Sequence, residues 1–384
     1  MVDIPFEVQS LDHGCRLDLF LSRKMTRMSR SLAARVIKHG GVRLKDGPLL
    51  DKPSARVFEG QVVVMRRRKL NEGPTDHIVV PLVHEDDRLI MVSKPGNLVV
   101  HPTATVYKRT LIHIMRTRLN DPNLDLAHRI DKETSGLLIM SRDSAAATDL
   151  TLQFAKRTVQ KAYLAIVVGA PADDEFDVQA PLRLVPDSET RCLMEVGGEG
   201  AQPSLTHFRV LARGDRTALV EARPKTGRQH QIRLHLAHIG HPIIGDKLYF
   251  GSEDFFMAAL RGDYDAQELR GWVGHDRQAL HAWQVTFRHP DDGREVTGRA
   301  PMPLDMCDLA RRMKIDIDRL VRQQPELGLS FGNEADEQAR QDDLRLVPAR
   351  PVPACAPEAL RQTLRADTVA GASHEDDSAR LDSV

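Results

Sequence analysis

The sequence of 384 residues is short of cysteine and of long apolar runs, and each shortage excludes a class of protein. Its four cysteines are scattered and form no C-x-x-C pair, which argues against a disulfide framework and a cysteine metal site. No apolar run reaches the ~18–20 residues that a membrane helix needs, and the opening MVDIPFEVQS lacks the basic and apolar regions of a signal peptide. With 41% hydrophobic and 28% charged residues, the composition favours a globular protein of the reduced cytoplasm with no membrane partner.

Several motifs of common enzymes are also missing. There is no Walker loop and no G-x-G-x-x-G, so no nucleotide or dinucleotide cofactor is expected. The KTG at 225–227 occurs in some serine acyl-transfer enzymes, but no S-x-x-K or G-x-S-x-G accompanies it. Four histidines crowd together without a carboxylate or cysteine at ligand spacing, and Gly240 breaks their helix, so we predict no metal site: His230, His235, His238 and His241.

The net charge is zero, but it is unevenly distributed. Residues 1–70 hold 15 Lys and Arg against 7 Asp and Glu, a net of +8, and residues 331–384 hold 6 against 11, a net of −5. A basic front segment is typical of a protein with a polyanionic partner such as nucleic acid. A solvated basic face explains the same charge, and charge alone leaves both interpretations open.

The pattern along the chain predicts five segments. Residues 1–70 form a small basic module, and the polar residues 71–77 form a linker. Residues 78–303 alternate β-rich runs with helical patterns, and residues 304–330 read as a helical extension. We expect residues 331–384 to be a disordered acidic tail, because they are too polar to pack.

The first module is predicted to contain two short helices and a β-hairpin. An apolar stripe predicts the first helix, and Ser29 can cap a second, SRSLAARVIKHG. Four arginines are left on the outside, where they suit the phosphates of folded RNA: Arg23, Arg27, Arg30 and Arg35. The segment resembles the alpha-L RNA-binding motif through Arg16-Leu17-Asp18, Ser29-Arg30, Ile37, Gly41-Val42 and Gly60-Gln61-Val62. It departs from that motif where Lys45-Asp46 precedes Gly47 in place of the usual Asn.

The strongest chemical signal is HRIDKETSGLLIMSRD, residues 128–143. LLIM predicts a buried strand, so the polar run before it is a loop delivered to the edge of a sheet, where reactive groups tend to lie. A capped turn explains the same composition.

A second signal is RPKTGRQHQIRLHLAHIGHPIIGD, residues 223–246. Ile232, Leu236 and Ile239 share one face of a predicted helix that Gly240 terminates, and Arg233 stands at the boundary of the core. An arginine there needs an anionic partner, because an unpaired buried charge is costly. Lys225 and Arg228 precede the helix and suit a phosphate.

HRIDKETSGLL is similar to the H-R-x-D-x-x-T-S-G-L-L signature of the pseudouridine synthases that act on ribosomal and transfer RNA. KPGNLVVHP, KAYLAIVVG, PKTGRQHQIRLHLAHIGHPIIGD and LHAWQVTFRHP match the other blocks of that family in the same order. The resemblance covers residues 78–303.

The resemblance implies a role for each matching residue. Asp131 corresponds to the catalytic aspartate, Tyr163 to the active-site tyrosine, and Arg233 to the arginine that pairs with the aspartate. The remaining matches are expected to contact substrate: Arg129, which holds the flipped base out, with His128, Thr134, Ile232, Leu234, Lys225 and Arg228.

The resemblance also implies a fold and a reaction. We expect an α+β protein, a mixed and largely antiparallel sheet with the cleft across it, that isomerises uridine without a cofactor and acts as a monomer. Large-subunit ribosomal RNA is the expected substrate, and transfer RNA is the alternative. A non-catalytic ribosome-associated RNA-binding protein is the remaining rival, and the presence of Asp131, Tyr163 and Arg233 argues against it.

Overall fold

A computed structural model describes residues 2–25, 28–67, 72–103 and 106–332. The chain divides into two compact units, Met1–Gly73 and Pro74–Val384. The disorder expected for residues 331–384 falls, from residue 333 onward, outside the described residues. Phe331 packs against the core of the second unit.

The first unit is a three-stranded antiparallel sheet with two helices. Its elements are β1 (Val2–Glu7), α1 (Leu17–Lys24), α2 (Arg30–Lys38), β2 (Val42–Leu44) and β3 (Val62–Arg67). The sheet order is β1-β3-β2, so β1 is an edge strand that the sequence analysis missed. Its alternation of Val, Ile and Phe with polar residues is a strand pattern, and Pro5 is tolerated because it lies at an edge.

The core of the first unit explains both predicted helices. Leu17, Phe20, Leu21 and Ile37 are fully buried. Buried Asp18 accepts hydrogen bonds from the guanidinium groups of two arginines that flank it, Arg16 and Arg30.

The second unit is built on one ten-stranded mixed sheet. Its main path runs β4-β5-β7-β14-β8-β13-β12-β9, with β6 paired to β7 and β15 paired to β14. Every pairing in it is antiparallel except that of β7 with β14. This confirms the expected α+β class with a mixed, largely antiparallel sheet. The strands of the path are β4 (Leu82–Glu85), β5 (Leu89–Lys94), β7 (Ser135–Ser141), β8 (Gln160–Val168), β9 (Glu175–Gln179), β12 (Leu205–Gly214), β13 (Thr217–Pro224) and β14 (Leu280–Arg288).

The remaining elements flank this sheet. Two further strands, β6 (Asp125–Leu126) and β15 (Glu295–Arg299), join it, and β10 (Leu182–Leu184) pairs separately with β11 (Met194–Val196). The helices are α3 (Leu111–Arg118), α4 (Ser144–Ala155), α5 (Gln231–His238), α6 (Glu253–Arg261), α7 (Ala266–Val273), α8 (Leu304–Arg312) and α9 (Ile317–Gln323), with a π-helix at Lys247–Gly251. Residues of α8 and α9 share one buried cluster with β8 and β13.

The parallel pairing of β7 with β14 depends on a glycine. Gly136 has φ +109° and lies opposite Ala282. A Cβ at Gly136 would be 2.2 Å from the carbonyl oxygen of Ala282, so only glycine allows the two strands to approach. Because β14 also pairs with β8, placing Ala282 opposite Tyr163, this contact connects the loop before β7 to Tyr163.

Candidate active site

Asp131 lies in the loop that precedes β7, as the sequence predicts. Its side chain is 32% exposed and faces a cleft of about 770 Å³. Tyr163 from β8 and Arg233 from α5 line the same cleft. The structure therefore brings together three residues that lie far apart in the chain.

Two side chains donate hydrogen bonds to one oxygen of the Asp131 carboxylate, Oδ2. Arg233 donates from Nη1 to Oδ2 at 2.9 Å, and Gln278 donates from Nε2 to the same atom at 3.3 Å. Nε2 of His230 lies 3.9 Å from Oδ2 as well.

These neighbours keep Asp131 ionised. Burial alone would raise the pKa of its carboxyl group, but the nearby charge of Arg233 and the hydrogen bonds from Arg233 and Gln278 lower that pKa below its usual value. The pKa of His230 is itself lowered to about 4, chiefly by burial and then by Arg233, so this imidazole is neutral near pH 7. Arg233 is therefore the positive charge that faces Asp131 at that pH.

Arg233 has the anionic partner that its position required, and a second one beside it. It is 6% exposed, and Nε and Nη2 donate to the two carboxylate oxygens of Asp246 at 2.6 and 2.9 Å. Asp246 is fully buried and also accepts from the backbone N–H groups of Leu248 and Tyr249. Burial opposes the charge of Arg233, but Asp246 and then Asp131 raise its pKa above its usual value.

Tyr163 is a neutral phenol in this arrangement. Burial, and then the charge of Asp131, raise the pKa of its hydroxyl above the usual value. A reaction step that neutralises Asp131 would remove its contribution and lower the pKa of the Tyr163 hydroxyl.

Other residues of the HRIDKETSG loop lie around Asp131 in different environments. Arg129 is exposed and lines the cleft. The ring of His128 stacks on Phe154 with centroids 4.6 Å apart, and its Nε2 accepts from the backbone N–H of Ile139, so it fastens the loop to β7. Thr134 is buried, and its hydroxyl accepts from Nε2 of Gln278 at 2.6 Å.

The start of α5 forms another wall of the cleft. Ile232 lines it together with Lys225 and Arg228, whereas Leu234 is buried and is not part of the lining. The cleft is strongly basic, because among the described residues that line it Asp131 is the only carboxylate, against six Lys and Arg besides Arg233: Arg129, Lys132, Arg157, Lys161, Lys225 and Arg228. A basic cleft suits a polyanion such as RNA.

Four residues at the site were not assigned a role from the sequence: His230, Tyr249, Asp246 and Gln278. Asp246 stands at the end of the PIIGD block, so the need of Arg233 for an anion was a signal toward it. Gln278 is 147 residues from Asp131, and no local pattern indicates it.

Three of the four crowded histidines, His230, His235 and His241, have separate hydrogen-bond partners. His235 is buried and bonds Ser204 and Thr206, and Nδ1 of His241 bonds the carbonyl of Val168. Across the part of the chain that the structure describes, no group of three or more His, Cys, Asp or Glu side chains could hold a metal ion. No helix in those same residues is long and apolar enough to cross a membrane.

Comparison with known proteins identifies similar chains. Residues 88–238 match the family model described as RNA pseudouridylate synthase. The ribosomal large subunit pseudouridine synthase D of Neisseria meningitidis is 32% identical over 86% of this chain and 87% of its own length. The protein of the same name from Xylella fastidiosa is 37% identical over 79% of this chain and 90% of its own. Among solved structures, human RNA pseudouridylate synthase domain containing 1 is 27% identical with a TM-score of 0.48, covering 60% of this chain and 86% of that one.

Proposed function

The chain belongs to the family of RNA pseudouridine synthases, and we propose that it acts on large-subunit ribosomal RNA with Asp131 as the catalytic carboxylate. As a member of that family it is an isomerase, which converts uridine in RNA to pseudouridine. The single observation that carries the assignment of Asp131 is its carboxylate, kept ionised by Arg233 inside a basic cleft.

The reaction explains why such a carboxylate is needed. The bond from the sugar to N1 of uracil breaks, the uracil turns, and a bond from the sugar to C5 forms. The proton on C5 is lost and N1 gains one, so the atoms balance and nothing is oxidised. An ionised Asp131 can attack the sugar, attack the ring or abstract a sugar proton, and each route requires the charged form.

Tyr163 and Arg129 are proposed to handle the displaced base. Tyr163 can stack on the uracil, and once the charge of Asp131 has been consumed its hydroxyl ionises more readily, so that it can give a proton to N1 and, as the phenolate, accept the proton from C5. The target uridine must leave its stack, which costs a few kcal/mol and less in an unpaired loop. The exposed guanidinium of Arg129 is available to hold the flipped base out.

Ribosomal RNA is the proposed substrate for two reasons. The two bacterial relatives compared above are named as large-subunit enzymes, and each aligns with at least 79% of this chain. The basic residues 1–70, with their net charge of +8, suit the phosphate backbone of a folded RNA.

The test is chemical mapping of pseudouridine by carbodiimide labelling and primer extension. Large-subunit ribosomal RNA and bulk transfer RNA, both lacking the modification, are incubated with wild type, with Asp131→Asn and with the matched control Asp125→Asn. The carboxylate of Asp125 is exposed and, among the described residues, accepts only from the backbone N–H of Leu126. New stops on ribosomal RNA with wild type and control, but not with Asp131→Asn, are expected. Stops only on transfer RNA would overturn the substrate, and full activity of Asp131→Asn would overturn the role of Asp131.

A further inference from the structure

The donors around Asp131 converge on one of its two oxygens. Arg233, Gln278 and the ring of His230 all approach Oδ2, at 2.9, 3.3 and 3.9 Å. Among the described residues, none donates a hydrogen bond to Oδ1. The carboxylate therefore has one anchored oxygen and one open oxygen.

The hydroxyl of Tyr249 lies within hydrogen-bond distance of one ring nitrogen of His230. The backbone N–H of Met194 donates to the hydroxyl oxygen of Tyr249 at 3.0 Å, and that hydroxyl lies 2.9 Å from Nδ1 of His230. Within the described part of the chain, Nδ1 is the one acceptor available to the hydroxyl hydrogen. Since a hydroxyl hydrogen without an acceptor is costly, this geometry favours donation from Tyr249 to Nδ1, and the hydrogen of a neutral imidazole then lies on Nε2.

The backbone and the surroundings hold His230 in this state. His230 has φ 54° and ψ 18°, a left-handed conformation that is uncommon outside glycine and that clusters at functional sites. Burial and the adjacent Arg233 lower its pKa to about 4, which keeps the ring neutral near pH 7. A neutral imidazole with a fixed N–H is an established donor in enzyme sites.

We propose that His230 is a positioning residue that directs its Nε2–H toward Oδ2 of Asp131, with its tautomer fixed by Tyr249, so that Oδ1 is the oxygen that meets the substrate. This inference rests on the proposed role of Asp131 as the catalytic carboxylate. The N–H dipole of His230 favours the charged form of Asp131 and restrains the rotation of its carboxylate, in addition to what Arg233 and Gln278 do.

The other ionisable groups near the carboxylate define what a change in pH profile would mean. Arg233 of α5 faces Asp131 directly, and Asp246, which follows α5 in the chain, lies on the other side of Arg233. Tyr163 of β8 faces Asp131 as a neutral phenol. Glu133, in the same loop as Asp131, is paired with Lys247. Tyr249 also lies against Arg233, so the loss of its effect in a His230→Gln background is what separates the route through His230 from the route through Arg233.

The first test is Tyr249→Phe. Phenylalanine keeps the ring that lies 5.0 Å from the guanidinium carbon of Arg233 and removes only the hydroxyl. Since Nε2–H is then no longer fixed, we expect kcat to fall on the order of tenfold, KM to stay within about twofold, and the acid limb of kcat to move to higher pH because the pKa of Asp131 rises. The control is Tyr264→Phe, whose ring contacts Phe255 on α6.

A second pair of variants distinguishes loss of the N–H donor from a folding defect. His230→Gln offers an amide N–H without needing Tyr249, whereas His230→Leu offers none. We expect His230→Gln to retain more activity than His230→Leu, and Tyr249→Phe to have little further effect in the His230→Gln background, a non-additivity that purely structural damage does not produce.

Nitrogen NMR of the full chain with labelled histidine reads the tautomer directly. The His230 signals, identified by their loss in His230→Gln, are expected to show a protonated Nε2 and an unprotonated Nδ1. A protonated Nδ1, or a kcat and acid limb of Tyr249→Phe equal to wild type, overturns the inference. If the His230 inference is overturned while Asp131→Asn is inactive in the same assays, the proposed function still stands. An active Asp131→Asn overturns both the inference and the proposed role of Asp131.

Discussion

Arg233 and Asp246 form a buried two-point ion pair, with Nε and Nη2 donating to the two oxygens of one carboxylate at 2.6 and 2.9 Å. This pair uses one edge of the guanidinium and leaves Nη1 for Asp131. The orientation of the Asp131 carboxylate thus depends on a second, fully buried carboxylate that does not line the cleft.

Asp246→Asn should destabilise the fold more than Asp131→Asn does. Asp246→Asn leaves the buried Arg233 with one anionic contact, to the partly exposed Asp131, and we expect a loss of up to about 3–5 kcal/mol in the free energy of unfolding, the cost of breaking a buried ion pair. Asp131 is partly exposed, and its loss leaves Arg233 with Asp246. The measurement is urea unfolding, with Asp215→Asn as control because its ion pair with Lys314 is exposed. Equal midpoints for Asp246→Asn and wild type would contradict the prediction.

Gly136→Ala should disrupt the joint between β7 and β14. A left-handed backbone alone costs a non-glycine residue roughly 1–2 kcal/mol. The control Gly197→Ala has φ +79° and open space around its Cβ, so it should show only that cost. Gly136→Ala adds a clash at 2.2 Å with the carbonyl of Ala282, so thermal unfolding should show a clearly larger loss. Similar melting temperatures for the two variants would mean that the strands separate easily.

Lys161→Met should weaken RNA binding and leave the chemical step intact. Lys161 lies on the same face of β8 as Tyr163, and with the described residues it makes neither a hydrogen bond nor an ion pair. Burial, and then nearby Arg157, lower the pKa of its ammonium group, as expected for a cation with no anion beside it among the described residues. An RNA phosphate would supply that anion.

The expected result is a higher KM with kcat little changed. The slope of log affinity against log salt should become shallower by about 0.7–0.9, the value for one phosphate contact. Lys156→Met, an exposed lysine at the end of α4, is the control. An unchanged slope for Lys161→Met would argue against a phosphate contact.

The arginines of the first unit should contribute unequally to RNA affinity. Arg23 and Arg35 are exposed, whereas Arg30 is paired with buried Asp18, which already neutralises part of its charge. Arg23→Gln and Arg35→Gln should each reduce the salt slope more than Arg30→Gln does, measured by filter binding at several salt concentrations. Equal effects of all three would show that the ion pair opens on binding. Arg27 lies outside the described residues.

Most of the secondary structure and part of the candidate site could be predicted from local sequence patterns. The buried run LLIM became β7, and Asp143 caps α4 by accepting from the backbone N–H groups of Ala145 and Ala146. The apolar stripe ending at Gly240 became α5. In each case the signal lies within a few residues, where periodicity and capping chemistry act.

What the sequence could not reveal depends on contacts between distant residues. The need of Arg233 for an anion followed from its burial, but two carboxylates satisfy it, and neither could be chosen by spacing. Gln278 reaches Asp131 only because β14 lies beside β7. The donor role of the Tyr249 hydroxyl depends on a backbone N–H from Met194, 55 residues earlier.

The parallel joint of β7 and β14 also bears on when the enzyme becomes active during its synthesis. Ser135 pairs with His281, so the loop of Asp131 leaves the ribosome well before the strand that flanks it. At a translation rate of about 5–20 residues per second, the delay is on the order of ten seconds. Throughout that interval the nascent chain carries Asp131 without Gln278 and without the strand that pairs with β7, so we expect the proposed site to be complete only once β14 has been made.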